Sequence, residues 1–270
     1  MALDRRAALA AGIIGALGWA RGARAARPFD RERDLISLHY DHAPDRDDGH
    51  SAAADRTVLE TLYGIPWIRA QILPVSGAYG LNRSTFNPKS DVVMDVTWNP
   101  CGGWLAAHRD WKGVVETLFR RWRTTLQAGG DVWVKEGGQS DITAELVRAL
   151  KKDVPAVDPK TRIHLVQHGK WNEDQTTPEA LAYVKTETDY IRIRDANRFL
   201  NVRGGDPVFV QAATAHPIFG PAWKAAFEYY PAEIRVDFSD TGELFHILGM
   251  DQMTVDEFRK RFLTPHSKSA

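Results

Sequence analysis

The sequence contains a single cysteine, Cys101, in 270 residues. An intrachain disulfide is therefore excluded, and no metal site built on several cysteines can form. The chain also lacks an excess of charge of either sign, because 35 basic residues balance 35 acidic ones. Without a basic surplus, neither nucleic acid nor an anionic membrane is expected as a main partner. Metal or acid–base chemistry must come from Asp, Glu and His side chains.

The composition is that of an ordinary globular protein. Hydrophobic residues make up 43% of the chain and charged residues 26%, which excludes an intrinsically disordered chain. Its length is sufficient to bury a full hydrophobic core. No internal repeat or low-complexity tract is present, so we expect one domain over residues 26–270, after an export signal.

The export signal is predicted at residues 1–25. Arg5 and Arg6 precede an apolar run over residues 7–20, and Ala23-Arg24-Ala25 fits a small-residue cleavage site. The run is shorter than the roughly 20 residues that a membrane span needs. The arginine pair resembles a twin-arginine signal, which predicts a periplasmic or secreted protein and the twin-arginine export machinery as a partner. The alternative is an amphipathic helix that stays attached.

Strands and helices alternate along the rest of the chain. Short apolar runs predict strands at residues 35–40, 68–75, 92–96, 131–135, 162–167, 190–193 and 234–236. Helical spacing of apolar residues predicts helices at residues 52–63, 111–126, 141–150, 178–185 and 254–262. This alternation predicts an α/β fold with a mostly parallel sheet and helices on both faces. Ligands of such sheets bind beyond the carboxyl ends of the strands.

The loop after the first strand carries four carboxylates in eight residues. Asp41, Asp45, Asp47 and Asp48 repel one another unless a cation neutralises them or some stay protonated. Placed between a strand and a helix, they could share an oxygen-preferring ion such as calcium. The alternative is a solvated acidic turn that caps the helix. His42 and His50 flank this loop as candidates for ligand contact, for transition-metal binding or for an acid.

This loop resembles the Asp-x-Asp-Pro-Gly-x-Asp-Asp signature of nucleoside hydrolases, which binds calcium and the ribose hydroxyls. The first Asp of the signature falls on Asp41, and the final pair falls on Asp47 and Asp48. The second Asp, a metal ligand and the general base of the family, falls on Ala43. The glycine falls on Asp45, so the resemblance implies that Asp45 supplies the missing carboxylate or that nucleoside hydrolysis is lost.

Later loops extend the resemblance over most of the chain. Ser140 matches a threonine whose carbonyl binds calcium in the family, and Asn172 matches an asparagine that contacts the ribose. Trp171, beside Asn172, could stack on a sugar or a base. Asp240 matches the aspartate that closes the family's metal site, with Asp237 as the alternative.

The resemblance implies a Rossmann-like fold and an exported, calcium-dependent hydrolase of an N-glycosidic or related sugar bond. Asp45 or Asp41 would take the proton from water, while Asp41, Asp47, Asp48, Ser140 and Asp240 would hold calcium. Asp47, Asn172, Trp171, His42 and His50 would contact a small sugar or nucleoside ligand. The alternative is a sugar- or nucleoside-binding protein on the same fold that lost its base at Ala43. A weaker third option is a His/Asp transition-metal hydrolase, and a homo-oligomer is left open.

Overall fold

The computed structural model describes residues 27–44 and 46–264. The predicted export signal and Asp45 lie outside these described residues, as do residues 265–270.

Within the described chain, strands and helices alternate as the sequence predicts. The strands are β1 (Leu35–Tyr40), β2 (Ile72–Ser76), β3 (Leu105–Ala106), β4 (Val132–Gly137), β5 (Ile163–Gln167), β6 (Asp189–Arg192), β7 (Asn201–Arg203) and β8 (Arg235–Asp237). The helices are α1 (Asp47–Gln71), α2 (Ser90–Trp98), α3 (Trp111–Gln127), α4 (Asp141–Asp153), α5 (Pro159–Arg162), α6 (Lys170–Gln175), α7 (Pro178–Glu187), α8 (Asn197–Leu200), α9 (Pro207–Ala215), α10 (Gly220–Tyr229), α11 (Thr241–Ile247) and α12 (Val255–Phe258). Short 3₁₀ turns lie at Arg83–Thr85 and Asn99–Cys101, and a π-helical turn at Arg259–Leu263 follows α12.

The central sheet has six parallel strands in the order β3-β2-β1-β4-β5-β6. This arrangement confirms the predicted α/β fold and is Rossmann-like. The chain leaves β1 toward β2 on one side and later adds β4 on the other, so the strand order reverses between β1 and β4. Ligands of open α/β sheets bind at such a switch point, beyond the carboxyl ends of the strands.

Two hydrophobic layers cover the faces of this sheet. Leu35 of β1 packs in the layer that holds the buried residues of α3, α4 and α7. Ile36, Leu38 and Tyr40 alternate with it and pack in the other layer, with residues of α1, α2 and α10. Because successive side chains of a strand point to opposite faces, β1 contributes to both layers.

Three of the predicted elements differ in the structure. Residues 92–96 lie in helix α2, because Val93, Met94, Thr97 and Trp98 are buried at helical spacing. The predicted strand at residues 68–75 begins only at Ile72, since α1 resumes after a kink at Gly64. Strand β8 pairs antiparallel with β7 in a separate two-stranded sheet rather than with the central one.

An ion network fastens the amino-terminal edge of the central sheet. Asp131, just before β4, accepts hydrogen bonds from Arg27, at 2.9 Å, and from Arg162. Its backbone amide donates to Asp34 at 2.8 Å. Burial opposes ionisation of Asp131, but the hydrogen bonds from Arg162 and Arg27 outweigh it and hold its pKa below the ordinary value.

We expect Asp131→Asn to lower the free energy of unfolding by roughly 2 kcal/mol at pH 7, because it removes the acidic partner of two partly exposed guanidinium groups. A carboxylate with a lowered pKa stabilises the fold above its unfolded pKa, and this stabilisation disappears as the pH falls through the folded pKa. The difference between variant and wild type should therefore shrink below about pH 4. Urea unfolding of both proteins at pH 7 and pH 3 measures this difference in the free energy of unfolding. Asp153→Asn, at an exposed ion pair with Arg123, is the control and should change stability by less than about 0.5 kcal/mol.

In the part of the chain that the structure describes, no helix combines the length and apolar character that a membrane crossing requires.

Candidate functional site

The loops that follow β1, β2 and β4 fix the carboxylate of Asp41 at the switch point. Its Oδ2 atom accepts hydrogen bonds from Asn82 Nδ2 at 2.9 Å and from Gln139 Nε2 at 2.7 Å. Its Oδ1 atom accepts from the backbone amide of Ala43 at 2.9 Å. Burial nevertheless raises the pKa of Asp41 to about 6. The first residue after β1 is thus a buried carboxyl that titrates near neutral pH.

Three predicted metal ligands, Asp41, Asp48 and Asp240, form one buried cluster. The Asp48 carboxyl lies within hydrogen-bonding reach of both Asp41 and Asp240, and its Oδ2 atom accepts from the amide of His42 at 2.6 Å. Burial, followed by the charges of Asp41 and Asp240, raises the pKa of Asp48 well above its ordinary value. Since like charges in a low-dielectric site resist joint ionisation, this cluster retains protons that separate carboxylates would lose.

The glycine pair after β4 lets the backbone pass close to this cluster. A Cβ atom at Gly138 would lie 2.4 Å from the carbonyl oxygen of Ala78 and 3.1 Å from the amide nitrogen of Asp41. A Cβ atom at Gly137 would lie 2.9 Å from Lys135 Nζ and 3.0 Å from Asp240 Cβ. Larger residues cannot enter either position without moving the loops that carry Asp41 and Asp240.

His168, the first residue after β5, holds Asp240 from the other side. Its Nε2 atom lies 2.9 Å from Asp240 Oδ1, and its backbone amide donates to Glu243 Oε1 at 2.8 Å. Burial opposes protonation of His168, but the Asp195 carboxylate, 3.7 Å from Nδ1, and the hydrogen bond to Asp240 outweigh it and raise its pKa to about 10. Burial raises the pKa of Glu243 to about 8. At neutral pH, His168 is therefore a cation and Glu243 a neutral acid.

Lys135 brings a second cation to the cluster from within strand β4. Its side chain is fully buried, and its Nζ atom lies 3.2 Å from Asp55 Oδ2 and 4.0 Å from the centre of the Tyr40 ring. The Tyr40 hydroxyl donates to the same Asp55 oxygen at 2.6 Å. Burial would lower the pKa of Lys135, but the charges of Asp55, Asp240, Glu243 and Asp48 outweigh it and raise the pKa. Lys135 is therefore charged although it is buried.

Several buried polar atoms around the cluster have no hydrogen-bond partner among the described residues. They include both ring nitrogens of His42, the Oε1 atom of Gln139, the Oγ atom of Ser140 and one carboxyl oxygen each of Asp48, Asp55 and Glu243. His42 has a left-handed backbone, with a φ of 51°, and its ring meets Tyr229 edge-on at 5.8 Å. Burial, helped by the charges of Lys135 and His108, lowers the pKa of His42 to about 3, so its ring is neutral. Buried polar atoms without partners are uncommon in folded proteins, and such atoms are satisfied by ordered water, an ion or a ligand.

The predicted substrate contacts divide into inner and outer positions. Asn172 is buried, and its Oδ1 atom lies 3.5 Å from Gln139 Nε2. Trp171 is 54% exposed on the same helix, at the rim. Asp47 is half-buried, and its Oδ1 atom accepts the amide of Asp48 at 3.0 Å. Asp45, the predicted catalytic carboxylate, lies outside the described residues.

His50 has a different place from the one that its sequence position suggests. Its Nε2 atom lies 2.9 Å from the carbonyl of Tyr230, and its Nδ1 atom accepts the amide of Asp237 at 3.2 Å. The ring is fully buried and stacks on Tyr230. Because both ring nitrogens are used by the backbone, His50 ties α1 to β8, and we leave it out of the proposed ligand contacts.

Three of the predicted calcium ligands, Asp41, Asp240 and Ser140, already have hydrogen-bond partners in the protein, whereas Asp48 Oδ1 has none among the described residues. Among residues 27–44 and 46–264, no three His, Cys, Asp or Glu side chains are grouped so that they could hold a metal. The oxygens of Asp41 accept three hydrogen bonds, and those of Asp240 accept from His168 and Ser51. The Ser140 carbonyl accepts the helical amide of Ala144 at 2.8 Å. Calcium remains a prediction from the resemblance, and no step below depends on it.

Sequence reasoning missed Lys135, His168 and Glu243 as members of the cluster. A usable signal was present for Lys135, since it interrupts the apolar run of a predicted buried strand, where a charge needs a partner. His168 directly follows another such strand. Glu243 gave no comparable signal, because its environment depends on how α11 packs against β4 and β5.

Fold and site together define an α/β protein with a Rossmann-like parallel sheet and a buried cluster of polar and charged side chains at its switch point. A scan against protein-family models and searches of curated proteins and of solved structures found nothing that matches this chain. The likeness to nucleoside hydrolases therefore rests on the residues described above.

Proposed function

We propose that the loops around this cluster bind the sugar of a small glycoside or nucleoside and that the protein hydrolyses its glycosyl bond. The observation that carries the proposal is the set of buried polar atoms without partners on His42, Gln139 and Ser140. A buried donor or acceptor without a partner costs roughly 1–3 kcal/mol. Sugar hydroxyls both donate and accept hydrogen bonds, so a polyhydroxylated ligand satisfies such atoms.

Asp41 is the described residue best suited to activate water. A general base works best when its pKa lies near the working pH, and burial brings the pKa of Asp41 to about 6. In the proposed step, water attacks the anomeric carbon as the bond to the leaving group breaks. The electron pair of that bond goes to the leaving group, and Asp41 takes the water proton. Asp45 remains the alternative base from the sequence.

Neighbouring residues would orient the ligand. Asn172 offers an amide beside Gln139, and the exposed ring of Trp171 could cover a sugar or base at the rim. Asp47, half-buried at the start of α1, would accept hydrogen bonds from ligand hydroxyls.

The second candidate function is ligand binding without turnover. Both oxygens of Asp41 already accept hydrogen bonds from Ala43, Asn82 and Gln139, which reduces their capacity to engage water. Ala43 also provides only a methyl group at the position that carries the family's base. Either function leaves the same pocket and the same class of ligand.

A survey of nucleosides and aryl glycosides separates the two functions. Release of free base or aglycone, measured by chromatography, supports hydrolysis, and heat of binding without product supports a binding protein. A protein that neither binds nor cleaves any of these compounds contradicts both.

We expect His42→Phe to weaken binding of the best ligand about tenfold, the scale of one lost hydrogen bond. Phenylalanine keeps a ring against Tyr229 but removes both unpartnered nitrogens, so the melting temperature should not fall by more than a few degrees. Isothermal titration and thermal unfolding provide the two measurements. His246→Phe, at the far end of α11, is the control and should leave affinity unchanged. Unchanged affinity in His42→Phe would place the ligand elsewhere.

The remaining proposals concern the cell and the assembly. We propose export to the periplasm or the medium through the twin-arginine machinery, on the strength of Arg5 and Arg6 in the sequence. A homo-oligomer stays open.

A further inference from the structure

The side chain of Lys135 is fully buried beside the carboxylate cluster. Its Nζ atom forms an ion pair with Asp55 at 3.2 Å. Gly137 lies between this atom and Asp240. A Cβ atom added to Gly137 would lie 2.9 Å from Lys135 Nζ and 3.0 Å from Asp240 Cβ. The ammonium group is therefore beside Asp240 as well as Asp55.

The cluster contains more acidic than basic groups. Asp41, Asp48, Asp55, Asp240 and Glu243 are buried there, with at most 5% of any of them exposed. The cationic side chains that contact these carboxyls are Lys135, on Asp55, and His168, on Asp240. A buried ammonium is costly unless carboxylates surround it, and buried carboxylates are equally costly without a cation. Each therefore stabilises the other.

A divalent ion would perform the same electrostatic task in a carboxylate loop of this kind. Here the oxygens of Asp41 and Asp240 accept hydrogen bonds from Asn82, Gln139, His168 and Ser51. One buried oxygen each of Asp48, Asp55 and Glu243 has no hydrogen-bond partner among the described residues. The Lys135 ammonium, 3.2 Å from Asp55 Oδ2, supplies a fixed positive charge on this side of the cluster.

We infer that the Lys135 ammonium is the resident cation of this carboxylate cluster and replaces a divalent metal ion there. Because the ammonium group is part of the chain, the protein does not need to bind a cation from solution, and a chelator cannot remove this charge. The inference concerns the folded pocket alone and holds whether or not the pocket hydrolyses a substrate.

Thermal unfolding of the purified protein, without substrate, tests the inference. We expect the melting temperature of wild type to stay within about 1 °C in 5 mM CaCl₂ and in 5 mM EDTA. An ion bound only to the folded state at a hundred times its dissociation constant would raise the melting temperature by roughly 5 °C or more. Such a rise in wild type, or calcium binding to wild type in a calorimetric titration, would overturn the inference.

Variants of the ion pair give an independent test. Lys135→Met keeps most of the side-chain volume but removes the charge, so it should lower the melting temperature by roughly 5 °C or more. Adding Asp55→Asn removes the carboxylate left without its partner and should recover part of that loss. Lys151→Met, at an exposed ion pair on α4, is the control and should change the melting temperature by about 1 °C at most.

A Lys135→Met protein as stable as wild type would contradict the inference. If Lys135→Met does not fold, the calcium and EDTA measurements on wild type still decide it.

Discussion

Asp41→Asn is expected to reduce turnover by roughly a hundredfold or more while ligand binding survives, because the amide cannot take a proton from water. The asparagine oxygen can still accept from Asn82 and Gln139, while the amide of Ala43 loses its acceptor; with two of the three hydrogen bonds kept, the loop should stay in place. Initial rates and calorimetric affinities, measured on the same preparation, separate the two effects.

Asp41→Asn should keep or raise the stability of the fold at neutral pH while it lowers turnover. Burial raises the pKa of Asp41, so its ionised form is less favourable in the folded chain than in the unfolded one. A raised carboxyl pKa means that stability is lost as the pH rises through the folded value, near 6. At pH 7.5 Asp41→Asn should therefore unfold at the same temperature as wild type or a higher one. Sites kept for function often show this trade-off.

Asp141→Asn is the matched control for Asp41→Asn. Asp141 also has a pKa raised by burial, but its carboxylate accepts the hydroxyl of Thr177 at 2.7 Å and the amide of Thr177 at 3.2 Å. It therefore fastens the start of α7 and should affect turnover by less than about threefold. Turnover in Asp41→Asn within a few-fold of wild type would exclude Asp41 as the base and leave Asp45 as the candidate.

Gly138→Ala is expected to lower the free energy of unfolding by roughly 3 kcal/mol and to abolish ligand binding. The added methyl group would lie 2.4 Å from the carbonyl oxygen of Ala78. That carbonyl accepts the amide of Gln139 at 2.8 Å, so it cannot retreat without moving the residue that holds Asp41. Backbone shifts at this point reach the whole carboxylate cluster. Denaturant unfolding and a ligand titration measure the two effects.

Gly169→Ala, in the loop after the neighbouring strand β5, is the control. Its φ is −88°, and the nearest atom to an added Cβ would be Asn172 Nδ2 at 3.6 Å, an ordinary contact distance. It should cost less than about 1 kcal/mol, the scale of an alanine at a helix N-cap. Equal losses in the two variants would show that the contact with Ala78 is not the cause.

The sequence by itself determined the class of fold and the loops that carry the site. The spacing of apolar residues in a segment indicates whether that segment is a strand or a helix and whether it buries one face or both. This spacing is a local property of the chain. It placed Asp41 directly after β1 and Ser140 at the start of α4, as the structure has them, whereas Asp48, predicted in the loop, lies in the first turn of α1. The crowding of carboxylates around Asp41 also indicated a site, because repulsion depends on spacing along the chain.

Tertiary structure alone decided which charges meet. The environment of Lys135 is set by Asp55 of α1 and Asp240 before α11, residues far apart in the chain, and no periodicity encodes that contact. Packing likewise assigned residues 92–96 to α2, because three apolar side chains at helical spacing, Val93, Met94 and Trp98, can bury against α1 and α10. It turned His50 toward the backbone of Tyr230 and Asp237. Local pattern fixes the elements and their faces, whereas the partners of buried polar groups follow from contacts between segments distant in sequence.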